Sequence, residues 1–414
     1  MDPERHATRI VTVLFAVMSL GSAAYIAAAT VSPIAGTALA GHDSWAGVPS
    51  AAVLLGAAVC APIWGALMDR VGRRWALVLG LVAGLVGSAI AAAALAGHSL
   101  VGFLIGLVLM GAASAAIQLS RFAAAEVHAP DARGRAIANV VLGGTVGAIV
   151  GPLVVAPAGA AALRLGTDEL VGPFAAAVAL QLIAAAVTLI WLRPDPRELG
   201  KQVSARFPPP AMEKGSRGLS DILRLPAAQL AIGAMVLGQM VMVMLMVITS
   251  LHMRQHNHGL GSISAVISAH TLGMYAFSVV SGRLADRWGR GRVILLGSGL
   301  LVLAGLIAPL SPEVLPLAAS LFLLGLGWNL SFVGGSSLLA DQLRPEERGR
   351  AQGFNDLLIS LGSAVGSLGS GVAFASVGYT VMGLIGAALA LIPLIMALLW
   401  LRRVGWSPAA AGPG

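Results

Sequence analysis

Four side chains in the second half of the sequence form a set suited to a soft metal. Met242 and Met246 stand one helical turn apart, and His270 and Met274 repeat the four-residue step. Seven of the 14 Met (235, 240, 242, 244, 246, 253, 274) and half of the eight His crowd into the same forty residues. Thioether sulfur with imidazole suits Cu(I) rather than a hard cation. Counted from outer helix ends near His252 and Ser262, Met246 and Met242 lie about 9 and 15 Å down, and His270 and Met274 about 12 and 18 Å. The two pairs therefore overlap in depth on consecutive helices. His252, Met253, His256 and His258 fall at the outer mouth, where they would collect the ion before entry. The alternative is a Met-rich packing face with one hydrogen-bonded His, since methionine is ordinary filler of apolar helices. A third use of His270 is proton coupling, because imidazole titrates near neutral pH.

Arg121 is the basic residue that lies well inside an apolar run, about 7 Å along the axis from Glu126. A guanidinium there is paired or faces a polar cavity. Either it binds an anionic group of a solute, with Gln118 as a second polar contact, or it pairs with Glu126 or another acid. Asp356, next to Asn355, is the acid placed to carry a proton near the end of the chain. Otherwise it caps its helix.

The elements that must position these groups repeat. Gly65-Ala-Leu-Met-Asp69-Arg70-Val-Gly72-Arg73-Arg74 returns as Gly282-Arg-Leu-Ala-Asp286-Arg287-Trp-Gly289-Arg290, 217 positions later. Pro130-Asp-Ala-Arg133-Gly134-Arg135-Ala136 returns as Pro345-Glu-Glu-Arg348-Gly349-Arg350-Ala351, 215 positions later. Two unlike charged loops at nearly one offset mean a duplicated unit. Both interrupt long apolar runs. Hydrophobic residues make up 57% of the 414 and charged residues 11%, with a mean hydropathy of +0.87. Soluble domains carry about 25% charged residues, so this is a membrane protein.

Twelve apolar runs, from 10–33 to 378–401, predict twelve transmembrane helices, each long enough to cross the ~30 Å hydrocarbon core. Alternation over short segments is absent, which excludes a β-barrel. The first run lacks a small-residue cleavage site and is expected to be retained. The net charge of +8 invites a nucleic-acid partner, but its placement excludes one. Of 26 Lys and Arg, Arg164 and Arg254 fall on one side and Arg121 inside a span; the other 23 share the opposite side. That side is cytoplasmic by the positive-inside rule, and both termini lie there. The polar stretch with Pro194, Pro196 and Pro208-Pro209-Pro210 is the linker. The expected division is residues 1–193, a linker at 194–226, and residues 227–414. The lone Cys60 excludes an intramolecular disulfide.

With its two signature loops, the chain resembles the major facilitator superfamily over essentially its whole length. Gly65, Asp69, Arg70, Gly72, Arg73 and Arg74 meet the family's signature between helices 2 and 3, and the second copy falls between helices 8 and 9. The resemblance implies an all-α membrane fold of two six-helix bundles around a cavity that opens alternately to each side. Within that frame Asp69, Arg70, Arg73 and Glu126, and Asp286, Arg287, Arg290 and Asp341, are expected to latch the cytoplasmic face, with Asp69 reaching the N-terminus of a helix in the other bundle. Otherwise they only cap helices and set topology. Gly147-x-x-x-Gly151-Pro152 resembles the family's antiporter-associated signature, but Val155 and Ala156 replace its usual Gly pair. Close packing accounts for it, and for Gly362 and Gly366, equally well. The family's drug-antiporter Arg is missing, Leu107 standing in its place.

The arrangement of Met242, Met246, His270 and Met274 is similar to the CcoA-like, copper-importing branch, and this implies metal uptake. The rival expectation is transport of a small organic molecule past Gln118 and Arg121. The sequence holds no phosphate-cradling Gly-x-x-x-x-Gly-Lys-Ser/Thr loop, so ATP is not expected to drive it. The expectation is therefore a monomeric bacterial inner-membrane transporter, not an enzyme. It would have no cofactor, with a small solute or metal ion and the lipid bilayer as partners.

Overall fold

The computed structural model describes residues 3–129, 132–206 and 217–404. Pro130 and Asp131 of the first repeated loop, and the run Pro208-Pro209-Pro210, lie outside the described residues. Every regular element among the described residues is helical. Along the chain these are α1 (Pro3–Ala40), α2 (Val48–Val71), α3 (Arg73–Ala96), α4 (Leu100–Glu126), α5 (Arg133–Arg164), α6 (Val171–Trp191), α7 (Pro196–Arg206), α8 (Leu219–Leu223), α9 (Pro226–Gln255), α10 (Leu260–Tyr275), α11 (Ser278–Trp288), α12 (Arg290–Ile307), α13 (Val314–Asp341) and α14 (Pro345–Val404). Short 3₁₀ turns span Asp43–Gly47 and Ala308–Leu310.

Eleven described stretches are long and apolar enough to cross a membrane. One of them, Arg350–Val404, has 55 residues, more than twice what a crossing needs. Its backbone leaves helical geometry at Gly378, where φ is 73°. That break makes two crossings of it and gives the twelve the sequence predicts. A different break splits the eighth crossing, Leu260–Trp288, into α10 and α11.

Two compact units result, the first from residues 3–41 and 48–206 and the second from His42–Gly47 and residues 217–404. The first unit therefore takes in α7, and the second takes in α8 and the 3₁₀ turn at Asp43–Gly47. Sequence patterning alone placed that turn in the first half.

Each unit packs its helices backbone to backbone. α5 lies on α1, and a Cβ on Gly147 would overlap the Ser19 carbonyl. In the second unit the N-terminal limb of α14 lies on α9, where a Cβ on Gly366 would stand 2.7 Å from the Met240 carbonyl oxygen. Small residues four apart permit this approach, so both glycine series are packing surfaces. Long apolar side chains point outward instead. Leu55, Val59 and Ile63 recur at four-residue steps on α2 and are each more than half exposed. Lipid rather than water must cover such a stripe, since each side chain gains about 1.5–3 kcal/mol on leaving water.

Candidate functional site

The two repeated signature loops carry the most completely built chemistry among the described residues. In the first unit Arg73, on the first turn of α3, is held at three points. Its Nη1 donates to Asp69 Oδ1 at 2.7 Å, its Nη2 to Glu126 Oε1 at 2.6 Å, and its Nε to Glu126 Oε2 at 3.0 Å. The second unit repeats the arrangement. Arg290 Nη1 donates to Asp286 Oδ1 at 2.7 Å and its Nε to Asp341 Oδ2 at 3.2 Å. Each Arg ties the end of one crossing (α2 or α11) to the end of another (α4 or α13) inside its own unit. Asp69 and Asp286 keep about 70% of their side-chain surface exposed, and Arg70 and Arg287 are exposed as well.

Within the first unit the N-terminus of α3 is served by a residue absent from the sequence expectation. Asp195, in the linker, accepts from the backbone N–H groups of Arg73 and Arg74, both at 3.0 Å. A carboxylate on two free amides at the positive end of a helix is favoured by both charge and hydrogen bonding. Asp195 also accepts from Arg197 N at 2.9 Å, and Arg197 Nη1 donates to the Arg70 carbonyl at 3.1 Å. Gly72 makes room: its φ is 96°, and a Cβ there would overlap Asp195 Oδ2. The sequence signal was present, an Asp between two prolines directly after a span.

The far end of the linker is moored to the second unit. Arg217 donates through its backbone N at 2.9 Å and its Nε at 3.0 Å to Glu347 Oε1, and through Nη2 at 2.7 Å to Oε2. Its Nη2 also reaches the Gln342 carbonyl at 2.6 Å, and Arg350 donates to the Arg217 carbonyl. Glu347 is fully buried on the first turn of α14 and accepts from Arg344 N at 3.1 Å. The Arg217 guanidinium, chiefly by hydrogen bonding, holds the Glu347 carboxyl down to about 2 despite its burial. The same pair raises Arg217.

The four metal candidates separate into two settings. His270 is fully buried, and its Nδ1 lies 2.9 Å from the Leu321 carbonyl on α13, so that nitrogen carries the proton. Its Nε2 is left buried without a partner. α10 docks chiefly on α13, where Gly325 admits the backbone of His270 and Met274, and touches α9 only slightly. Met242 is buried on α9, and Met246 half-buried. His252 and His256 stand together, their ring centroids 4.4 Å apart. His252 stacks on Tyr379 at 4.0 Å between ring centroids, and His256 Nδ1 lies 2.9 Å from the His252 carbonyl. His258 Nε2 lies 3.0 Å from the Pro312 carbonyl, and Met253 is buried. Among the described residues no group of three or more His, Cys, Asp or Glu gathers as a metal site. Asp356 is exposed on α14, and Asn355 beside it is buried, donating to Met235 Sδ at 3.7 Å.

Arg121 and Gln118 share one face of α4, three residues apart. Glu126, the expected partner of Arg121, has both oxygens on Arg73.

A further cluster forms in the second unit at mid-depth. Trp328 lies 14 residues into the 28 of α13, about 21 Å along the axis. Its Nε1 donates to Gln239 Oε1 on α9 at 2.7 Å. Its ring stacks on Phe332 at 5.0 Å and meets Tyr275 edge-on at 6.4 Å. Tyr275 is the last residue of α10, at the break in the eighth crossing. Asn329, buried beside Trp328, spans that break: its Nδ2 donates to the Met274 carbonyl at 2.7 Å and to Ser278 Oγ at 2.9 Å. Ser281 Oγ donates back to Asn329 Oδ1 at 2.5 Å. Gln239, Tyr275, Trp328 and Phe332 are all half-buried. Such a face can stack on a flat ring and hydrogen-bond to its edge. The signal available beforehand was a Trp-Asn pair and a Gln inside otherwise apolar spans.

Known proteins agree with this architecture. The model of the Major Facilitator Superfamily matches residues 13–261 and 230–411. An uncharacterized MFS-type transporter of Bacillus subtilis, YdeG, is 35% identical over 408 residues, 97% of this chain and 94% of its own. The riboflavin transporter RfnT of Brucella anthropi is 30% identical over 401 residues, 95% of this chain and 96% of its own. Among solved structures, the nucleoside transporter NupG has a TM-score of 0.69 at 15% identity, covering 95% of this chain and 99% of that one, a likeness of fold alone. The duplicated signatures, the twelve crossings and these matches agree: the chain is a multi-pass transporter of small solutes, not an enzyme, and belongs to the major facilitator superfamily.

Proposed function

We propose that this protein is a secondary active transporter of a small organic solute with a planar conjugated ring, of the flavin class, working by alternating access. The observation that carries the reading is the mid-depth set of Trp328, Phe332, Tyr275 and Gln239. Aromatic faces favour an offset-stacked flat ring, and cargo sites of such transporters lie near the bilayer midplane. The related riboflavin transporter, similar along nearly the whole chain, supports the same class. The membrane in this reading is the bacterial inner membrane with both termini cytoplasmic, which the distribution of basic loops supports. Asp69, Arg73 and Glu126, with Asp286, Arg290 and Asp341, stiffen the cytoplasmic ends of their units as these move, while Arg70 and Arg287 stay free to meet changing partners. The experiment is riboflavin uptake by cells expressing the protein against an empty-vector control. Trp328→Ala should lower uptake about tenfold; no uptake by the wild type would sink the flavin assignment.

Copper import is the second reading, favoured by the unpartnered Nε2 of His270 beside Met274. It is the weaker one, because α10 turns to α13 rather than to Met242 and Met246 on α9. Copper-64 accumulation unchanged by His270→Ala and Met242→Ala would end it.

A further inference from the structure

We propose that Arg121 on α4 binds a negatively charged oxyacid group, a carboxylate or a phosphate, carried by the transported solute. The inference rests on the organic-solute reading for the rest of the cargo, but the anion site stands on its own observations.

α4 is exposed on two different faces. In its outer half Val101 and Ile105 are exposed, an apolar pair that suits lipid. In its inner half Gln118 and Phe122 are exposed, with Arg121 half-buried between them. At 3.6 residues per turn, Gln118 lies roughly 100–140° around the axis from Val101 and Ile105. A carboxamide and a guanidinium on one turn of a spanning helix face an aqueous path, not hydrocarbon.

Among the described residues Arg121 has no counterion on this face. The acid five residues along, Glu126, already accepts from Arg73 through both oxygens, and Asp69 also serves Arg73. Arg121 Nε is cut off from solvent and has no acceptor. Its guanidinium carbon sits 5.0 Å from the centre of the Phe122 ring, which orients the plane without neutralising the charge. The side chain is a fixed fork of donors awaiting an acceptor, and that fork matches carboxylate and phosphate two bonds at a time. Gln118, one turn away, adds an amide to the rim.

The test reads the melting temperature of purified full-length protein with benzoate, phenyl phosphate and benzyl alcohol at constant ionic strength. A rise with either anion in wild type that Arg121→Gln loses supports the site, and separates carboxylate from phosphate. Identical responses in the two proteins overturn it.

Discussion

The signature loops of the two units carry almost the same sequence but are held differently. Arg73 and Arg290 make matching salt bridges, to Asp69 and Glu126 and to Asp286 and Asp341. Behind Gly72 stands the carboxylate of Asp195, whereas a Cβ on Gly289 would meet nothing within 4 Å. The first loop is therefore closed by a helix-terminal anion, and among the described residues the second is not. In the second unit the buried acid moves elsewhere, to Glu347 at the start of α14, where it holds Arg217. Duplication set the loops, and the linker, which exists once, supplied the asymmetry. Its two ends are bound to different helix N-termini, α3 in one unit and α14 in the other.

The largest effect should come from alanine at the two glycines. Gly72 and Gly289 both have φ above 90°, so either change costs about 1–3 kcal/mol in backbone strain. Gly72→Ala should add the loss of the Asp195 cap, about 0.5–2 kcal/mol, and depress the melting temperature of detergent-solubilised protein more than Gly289→Ala. Equal depressions would refute the asymmetry. Next in size, Asp195→Ala should raise hydrogen exchange in α7 and at the Arg73 and Arg74 amides while leaving Arg290 and Arg292 as they were. Exchange rising equally at both loops would mean that the linker holds neither in particular.

The smallest effect concerns pH. Glu347 has its carboxyl lowered from 4.5 to about 2. Its mooring of Arg217 is thus at full strength above the unfolded value and is lost as pH falls through about 2. Exchange at residues 217–225 should increase over that window in wild type and be elevated throughout in Glu347→Gln. A wild-type profile flat down to the lowest pH would show that the pair contributes nothing.

How much of this was legible varies with how local the cause is. Crossings and duplication follow from apolar length and from the two repeated charged loops, so the sequence reveals them directly. The pairing of Arg73 with Glu126 was also within reach, because each has a counterpart in the second half, Arg290 and Asp341, at nearly the same offset. Asp195 was marked only by the two prolines around it, and its role was hidden, since its partners are backbone amides more than 120 residues away, and amides have no sequence letter. The Met and His series suggested a single ligand shell because spacing fixes depth along a helix but not which neighbour a face meets. α10 turned to α13, and His270 found a carbonyl there. The Trp328 cluster was hidden for the opposite reason: Gln239 was counted with the methionines of its face, though its amide is what the indole selects.

The break between Tyr275 and Ser278 has a mechanical meaning. α2 crosses in one piece despite Pro62 within it. The eighth crossing is two rods with a joint pinned by Asn329, the first ending in Tyr275 and the second carrying Asp286 and Arg287. A contact made at the tyrosine ring is thereby linked, through one buried side chain, to the second signature loop, a linkage that the unbroken α2 has no joint to provide.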